Sequence, residues 1–366
     1  MPIYMDVHIA PGVKAKDVAE AHRKDLLHQH EYGCNCMTYW IDEERETIFC
    51  LIDAVNKDAV KEMHSKAHGM VPNKIIEVSS SIVESFLGRI YDPEDVKATG
   101  DGLKVFSDPS FRILLVTKLT DPILLQHQFG FEKTNELINR HNDIIRKNLL
   151  LHSGSDVEHG GDGFIISFAS AAKAVACGLA IQKDMPLFDS MILGLKIGIN
   201  GGEPIEKSNK LFGDTIQFAN YLCAITNNAK IAVASDVKKL ISKEHFQNKE
   251  NNFLALSAQD ESLLQLLFDK LEEKWEDPEF DIPEYCQVMA MSQSQLYRKT
   301  TSLTGMSCNI LLKEFRLDKA KELMKKQHYT ISQITFESGF TSPSYFTKCF
   351  KKKYGLLPME YIDLLH

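Results

Sequence analysis

The C-terminal third of the sequence repeats one short helical pattern, and this repeat constrains the fold more than any other feature. In "DIPEYCQVMAMSQSQLYRKTTSLTG", apolar residues recur at helical spacing, Ser292 is placed to cap a second helix, and Gly305 suits its end. In "YTISQITFESGFTSPSYFTKCFKKKYG", Gly339 allows the turn, Ser342 caps the next helix, and Pro343 takes its first position. The amphipathic stretch "SCNILLKEFRLDKAKELMKKQ" lies between the two copies. The sequence therefore predicts two helix-turn-helix units joined by one long helix.

The charge of this segment indicates a nucleic-acid partner. Residues 281–366 hold 12 Lys and Arg against 8 Asp and Glu, a balance of +4, whereas the whole chain has a formal net charge of -8. A basic end on an acidic body is typical of a nucleic-acid-binding domain. A helical bundle with a solvated basic face is the alternative interpretation.

The runs "SQSQLYRK", "EFRLDKAKELM" and "ISQITFESGFTSPSYFTKCFKKKYG" follow the order of the AraC-family DNA-binding domain, which residues 268–366 resemble. The resemblance implies that the second helix of each unit enters a major groove of double-stranded DNA. Arg298 is the best base reader, because its guanidinium can bond guanine through two hydrogen bonds, whereas Lys351 and Lys352 suit phosphates. The implied DNA contacts are Ser294, Tyr297, Arg298, Ser344, Thr347, Lys348, Lys351 and Lys352.

The sequence of residues 109–250 predicts an α/β domain. "RILLVTKL" is typical of a buried strand, and "DVEHGGDGFIISF" predicts a strand, a tight turn and a second strand. The segments "GDGF", "IGIN" and "LFGDTI" resemble the catalytic domain of class III adenylate and guanylate cyclases. That resemblance implies two metal ions, which need two carboxylates in order to bridge a nucleoside triphosphate.

Catalytic groups of that family are missing from this chain. Asp162 fills the second carboxylate position, but the first position holds Thr117, and the positions of the transition-state Asn and Arg hold Gln217 and Tyr221. Tyrosine cannot supply the positive charge that stabilises a departing pyrophosphate. We therefore expect a catalytically inactive domain that forms a homodimer. The alternative is an active nucleotidyl cyclase, for guanylate or adenylate, fused to a DNA-binding domain.

Other polar positions could be remnants of a nucleotide cleft. The positions that select the base in the family hold Glu158 and Lys210, with polarity reversed relative to adenine-specific members. Together with Asp162 they could line a cleft, but the preferred interpretation is that Glu158 and Lys210 pair with each other in a salt bridge. Asp121 lies four residues beyond Thr117, past the predicted strand.

Residues 1–80 alternate between strand and helix patterns. The order βαββαβ predicts a ferredoxin-like fold. The segments "MDVH", "VAEAH", "FCL" and "AHG" resemble a small bacterial family of nickel-responsive ferredoxin-like proteins. That resemblance implies that the domain binds a divalent transition metal, and nickel is the first candidate. The predicted bounds are strand 3–8, helix 15–31, strand 35–41, strand 46–53, helix 56–67 and strand 74–78.

Histidines are the candidate metal ligands of this domain. His64 and His68 lie four residues apart, so one helix face presents both. Imidazole suits nickel, and His8 and His22 are the additional candidates. The "CNC" motif that begins at Cys34 places two thiols on one strand face, which would suit a softer metal. The alternative is that these histidines are solvated or hydrogen-bonded helix residues.

The sequence as a whole predicts an α+β multidomain protein. Residues 81–108 contain Pro and Gly and are interpreted as a linker. Eight scattered cysteines, with no export signal and no apolar run of membrane length, favour a cytoplasmic protein with free thiols. We expect a transcription regulator that works with the transcription machinery and is controlled by a ligand or metal at its N-terminal domain. A metal-storage or small-molecule module without signalling is a further interpretation of the first 80 residues.

Overall fold

The N-terminal part of the chain is a four-stranded antiparallel sheet with two helices on one face. The computed structural model describes residues 1–96, 99–100, 102–160, 163–186, 189, 192–226, 230–241, 252–326 and 329–365. The strand order β2-β3-β1-β4 is that of a ferredoxin-like βαββαβ unit, which confirms the predicted fold class for this domain. Its elements are β1 (Ile3–Ile9), α1 (Ala15–His28), β2 (Cys34–Asp42), β3 (Thr47–Ala54), α2 (Lys57–Ala67) and β4 (Lys74–Val78).

The alternation of side chains along β1 gives the two faces of this sheet different roles. Asp6 and His8 point to the face that the helices cover. Met5 and Val7 point to the other face, where they join a buried cluster that includes Leu114 of the following domain. A helix α3 (Ser80–Leu87) packs into the same cluster. Both faces of the sheet are therefore occupied.

The middle part of the chain is built on a mixed sheet, whose described strands run in the order β10-β9-β8-β5-β7-β6. β5 lies inside the sheet and is buried on both faces, as its apolar sequence predicts. On one face Leu115 packs toward α5 and α6, and on the other Val116 packs against α7. The elements are β5 (Arg112–Lys118), α4 (Pro122–Phe129), α5 (Phe131–Leu151), β6 (Ser155–Gly160), β7 (Gly163–Phe168), α6 (Ala171–Asp184), β8 (Lys196–Gly202), α7 (Gly213–Ile225), β9 (Ile231–Val233), α8 (Ser235–Lys239) and β10 (Phe253–Ala255).

The described C-terminal residues are helical and contain both predicted helix-turn-helix units. Ser292 caps its helix by accepting a hydrogen bond from the backbone N–H of Gln295, and Gly305 ends that helix in the left-handed conformation. Ser342 caps the corresponding helix of the second unit, with Pro343 in its first turn. The elements are α9 (Ala258–Lys274), α10 (Ile282–Val288), α11 (Gln293–Thr304), α12 (Cys308–Lys325), α13 (Ile331–Glu337), α14 (Pro343–Tyr354) and α15 (Pro358–Asp363).

The C-terminal helices pack directly against the middle domain. One buried cluster runs from the central sheet through Leu267 and Phe268 of α9 to Tyr285 and Leu296 of the first helix-turn-helix unit and to Leu311 of α12. Ile123 and Leu124 of α4 pack against the core of the second unit. None of the described helices is long and apolar enough to cross a membrane.

Candidate metal centre and DNA-binding surface

The candidate metal centre lies between the N-terminal sheet and its two helices. β1 brings Asp6 and His8, α1 brings Asp25, and His64 and His68 come from the last turn and the end of α2. Two groups of side chains have ligand atoms that all lie within 4.8 Å of one another. Their members are Asp6, His8, Cys50 and His64 in one group, and Asp25, His64 and His68 in the other.

His64 is the residue that joins the two groups. Its Nε2 atom lies 3.0 Å from Oδ2 of Asp6, and its Nδ1 atom lies 3.2 Å from Oδ1 of Asp25. Nε2 of His68 lies 3.1 Å from the same oxygen of Asp25, and Nε2 of His8 lies 3.3 Å from Oδ1 of Asp6. The side chains of His64, Asp6 and Asp25 are almost fully buried, so water screens these contacts little.

The electrostatics of this cluster favour a cation between the carboxylates. Burial alone would raise the pKa of Asp6, but His8 and His64 outweigh it and hold that pKa well below its usual range. Burial opposes the charge on His64, yet the carboxylates of Asp6 and Asp25 raise its pKa to about 10. In the protein without metal, the proton on His64 therefore supplies the positive charge that the two carboxylates require. A divalent ion would replace that proton.

The residues fit a divalent transition metal. Nδ1 of His8 is buried and makes no hydrogen bond, which leaves a donor atom available. A cavity of about 20 Å³ is lined by His8, Asp25, Cys50 and His68. Imidazole nitrogens with carboxylate oxygens and one thiol are a donor set that nickel accepts. When bound, the ion would supply charge and fixed coordination, and His8, His64 and His68 with Asp6 and Asp25 would hold it.

His22 lies beside this centre but is held by another partner. Its Nε2 atom lies 3.3 Å from Oδ2 of Asp92, and its ring lies 5.2 Å from that of Tyr39. It lines the cavity, but its ring nitrogens are absent from both ligand groups found among the described residues. Its predicted role as a ligand would require the contact with Asp92 to break.

The thiols of the "CNC" motif are in neither of the two ligand groups found among the described residues. Cys34 and Cys36 are buried in an apolar cluster with Val60 and Met63. Burial, with the charge of Asp25, raises the pKa of the Cys34 thiol to about 11. Cys50 of β3 is the thiol that joins the histidines. The sequence signal that could have found Asp6 is a carboxylate between apolar neighbours in a buried strand, two residues from His8.

The catalytic positions of the middle domain have structural roles in the described residues. The Oγ1 atom of Thr117 is buried and accepts a hydrogen bond from the backbone N–H of Phe164 at 2.9 Å. The ring of Tyr221 stacks on Phe268 with 4.6 Å between centroids, and its hydroxyl donates to Asp269 at 3.3 Å. Gln217 lines a separate cavity.

Of the remaining candidate cleft residues, the structure describes Glu158 and Lys210. Asp162 lies outside the described residues. Glu158 and Lys210 are both exposed, and the ion pairs found in the described part of the chain do not include a pair between them. The salt bridge that the sequence suggested is therefore absent from the structure.

Asp121 connects the middle domain to the second helix-turn-helix unit. It caps α4 by accepting a hydrogen bond from the backbone N–H of Ile123 at 3.0 Å. Its Oδ2 atom accepts a hydrogen bond of 2.7 Å from the Tyr361 hydroxyl and lies 3.2 Å from Nζ of Lys325 and 3.6 Å from Nζ of Lys321. The side chain is buried and committed to these partners.

The predicted DNA contacts form two exposed surfaces. On α11, Ser294, Tyr297 and Arg298 are exposed, while Leu296 is buried beneath them. On α14, Thr347 is half-buried and the other predicted contacts are exposed, while Phe346 and Phe350 are buried. The exposed members of that helix are Ser344, Lys348, Lys351 and Lys352.

Comparison with known proteins gives a family for each end of the chain. Residues 285–363 match the family described as "Helix-turn-helix domain", and residues 4–78 match the family described as "Nickel responsive protein SCO4226-like". The crystal structure of SCO4226 from Streptomyces coelicolor A3(2) is 30% identical, over 21% of this chain and 94% of that one, with a TM-score of 0.20.

Curated relatives match the DNA-binding and cyclase-like parts. The chain is 31% identical over 99 residues to the HTH-type transcriptional regulator MtrA of Neisseria gonorrhoeae, and the match covers 27% of this chain and 31% of that protein. It is 26% identical over 110 residues to the putative adenylate cyclase 3 of Rhizobium meliloti, which covers 29% of this chain and 19% of that protein. The chain thus spans less than a third of the length of either relative.

These findings define the class of protein. It is a multidomain α+β protein with an AraC-type helix-turn-helix domain at its C-terminal end and a cyclase-like domain in the middle. Its N-terminal domain matches the family of nickel-responsive SCO4226-like proteins and carries a His/Asp cluster that could hold a metal ion. The three resemblances predicted from the sequence are confirmed.

Proposed function

We propose that this chain is a cytoplasmic transcription regulator that binds specific sites on double-stranded DNA. The observation that carries the proposal is the pair of capped recognition helices, α11 and α14, each with an exposed polar face and an apolar face buried in its own domain. Recognition helices of helix-turn-helix proteins present their N-terminal residues to base edges in this manner. The transcription machinery is the partner through which such binding alters expression.

The proposed input signal is a divalent metal, nickel first, at the cluster around His64. Contacts lead from that domain to the DNA-binding part: Lys74 donates to backbone carbonyls of the loop after β8, and Tyr221 of α7 stacks on Phe268 of α9. A metal changes DNA affinity only if it binds two arrangements of the protein with different affinity. The contacts of Lys74 and Tyr221 physically connect the N-terminal domain to the DNA-binding part, which such a coupling requires.

The middle domain is proposed to be a catalytically inactive module that forms the homodimer. Support comes from Tyr221, which is 4% exposed and committed to α9 where the cyclase family has an arginine. A buried ring that forms part of the domain junction is not available to stabilise a leaving pyrophosphate. Sedimentation of the purified chain should give twice the mass of one chain, and a monomer at micromolar concentration would contradict this assignment.

The regulatory proposal is tested by recovering bound DNA genome-wide with and without added nickel. We expect a defined set of sites whose occupancy changes with the metal, and anisotropy titrations on those sites should show the same change. Occupancy that is unrelated to sequence would contradict specific binding. Sites that are bound equally with and without nickel would contradict the proposed metal signal but not the proposed specific DNA binding.

Catalytic inactivity has its own test. Purified protein incubated with ATP or GTP and Mn²⁺ should form no cyclic nucleotide above background, because groups that act as a unit in catalysis are missing together. Turnover that disappears in an Asp162→Ala variant would instead establish the active cyclase.

A further inference from the structure

A second cavity, here called the junction cavity, lies between the middle domain and α9. It has a volume of about 210 Å³. Its walls come from the end of β8, the loop that follows it, the first turns of α7, and the C-terminal helix α9. No residue of the metal centre lines it. The lining polar residues are Asn200, Glu206, Lys207, Asp214, Thr215, Gln217, Gln265 and Asp269.

Carboxylates dominate the charge of the junction cavity. The lining contains three carboxylates, those of Glu206, Asp214 and Asp269, and one ammonium group, that of Lys207. A nucleoside triphosphate would bring several negative charges against this excess, and Coulomb repulsion in a partly buried site would oppose its binding. The negative charge of the lining therefore disfavours a nucleoside triphosphate, which is the ligand that a cyclase-like domain would otherwise suggest.

The arrangement of these carboxylates also selects against a metal ion. Among the described residues, none of the three belongs to a group whose ligand atoms converge within 4.8 Å. Asp214 is oriented by the backbone N–H of Ser208 at 2.8 Å, and Asp269 by the side-chain amide of Gln265 at 2.7 Å. These hydrogen bonds fix separate carboxylates along the wall without neutralising them. Separate acceptors of this kind suit an extended ligand that carries several N–H donors.

We propose that the junction cavity binds a small organic cation with primary ammonium or guanidinium groups. Its charged ends bond the carboxylates of Asp214 and Asp269, and the amide oxygens of Gln217 and Gln265 accept further N–H groups. Phe218 supplies apolar contact for the carbon chain between the charged ends. A volume of about 210 Å³ holds a molecule of this size and is too small for most larger ligands.

The position of the cavity gives such a ligand a regulatory role, which rests on the proposed function. One wall is the loop that Lys74 of the metal-binding domain holds, through bonds to the carbonyls of Glu206, Lys207 and Ser208 at 3.0, 2.7 and 2.6 Å. Another wall is α9, which precedes the first helix-turn-helix unit in the chain. A ligand that bonds both walls stabilises one arrangement of loop and helix, and by linkage it alters the affinity for metal and for DNA.

Calorimetric titration of the full chain with 1,4-diaminobutane and with agmatine tests the site without any DNA. We expect binding of at least one of them, weakened ~tenfold or more by Asp269→Asn, which removes a charge and keeps the shape. Glu206→Gln, at the exposed mouth, should weaken it in the same direction and serves if Asp269 proves necessary for folding. The matched control is Asp236→Asn, an exposed carboxylate paired with Lys239 outside the cavity, which should leave binding unchanged.

Three results would overturn the proposal. They are absence of binding by both cations at millimolar concentration, equal binding of uncharged 1,4-butanediol, and displacement of the cation by ATP. Because these measurements contain no DNA, they are independent of whether the chain is a regulator. Binding of the cation with no change in DNA affinity would retain the site and reject its regulatory role.

Discussion

His64 is the central residue of the candidate metal centre, because its ring contacts Asp6 and Asp25 and its Nδ1 atom lies 3.0 Å from Nε2 of His68. We expect the double variant His64→Ala, His68→Ala to lower nickel affinity by more than about 100-fold, since loss of an outer partner alone costs about 10–100-fold. Calorimetry on the full chain with Ni²⁺, Cu²⁺ and Zn²⁺ measures this loss.

The control for that variant is His28→Ala. His28 lies in the same domain and contacts Glu31, outside the cluster, so its loss should not alter the affinity. Absence of heat from all three metals, or unchanged affinity in the double variant, would remove the site. The domain would then be better described as a small-molecule or structural module.

Arg298 and Lys352 should affect DNA binding in different ways. Arg298→Ala should weaken binding to the cognate site by about 1–3 kcal/mol and relax the preference at one base pair. Lys352→Ala should weaken all sequences about equally and reduce the dependence of affinity on salt. Anisotropy titrations on cognate and scrambled duplexes at several salt concentrations separate the two. Wild-type affinity of Arg298→Ala for the cognate site would show that Arg298 does not read a base.

At the scale of single elements, the turns of the two helix-turn-helix units differ at equivalent places. The first unit has Ala290 with φ 50°, and the second has Gly339 with φ 72°. A side chain in this left-handed region costs about 1–2 kcal/mol, which glycine avoids. Ala290 is exposed and would lose little packing if it were replaced.

We expect Ala290→Gly to leave the free energy of unfolding unchanged or raise it by up to about 1 kcal/mol. Gly339→Ala should lower it by at least about 2 kcal/mol, because the new Cβ would lie 2.3 Å from the backbone oxygen of Trp275. Urea denaturation of the two variants provides the comparison. Equal loss of stability in both would contradict the assigned role of the turn.

The sequence predicts the limits and the caps of single helices and strands well. The strand and helix limits of residues 1–80 follow from local periodicity, and the caps at Ser292 and Ser342 follow from local hydrogen bonding. The partners of a side chain depend on segments far apart in sequence. Asp25 as a member of the metal cluster and Asp121 as a link between domains lay beyond prediction for that reason, because no short motif contains both partners.

At the scale of the whole molecule, Asp121 makes the stability depend on pH. Burial would raise the pKa of this carboxyl, but Lys321, Tyr361 and Lys325 outweigh burial and hold the pKa below its usual range. Because the folded pKa is lowered, the contribution is fully present above the unfolded value of about 3.9 and is lost as pH falls through the folded value.

The variant Asp121→Asn should therefore be less stable than wild type by about 1–3 kcal/mol at pH 7, and the difference should shrink below about pH 4. Thermal denaturation from pH 7 to pH 3 follows the difference, with Asp236→Asn as an exposed control. A constant difference across this range would show that the charge of Asp121 is not what stabilises the junction.

The N-terminal sheet hides one face under its own helices and the other under the next domain, where Met5 and Val7 join Leu114 and Phe212 in one cluster. In a free-standing protein with the same sheet, this second, apolar face would be exposed to solvent. Such a protein would need a second copy of itself or polar side chains on that face. In this chain the middle domain covers that face. A mutation that separates the N-terminal domain from the middle domain would therefore expose apolar surface on both of them, and exposed apolar patches favour aggregation.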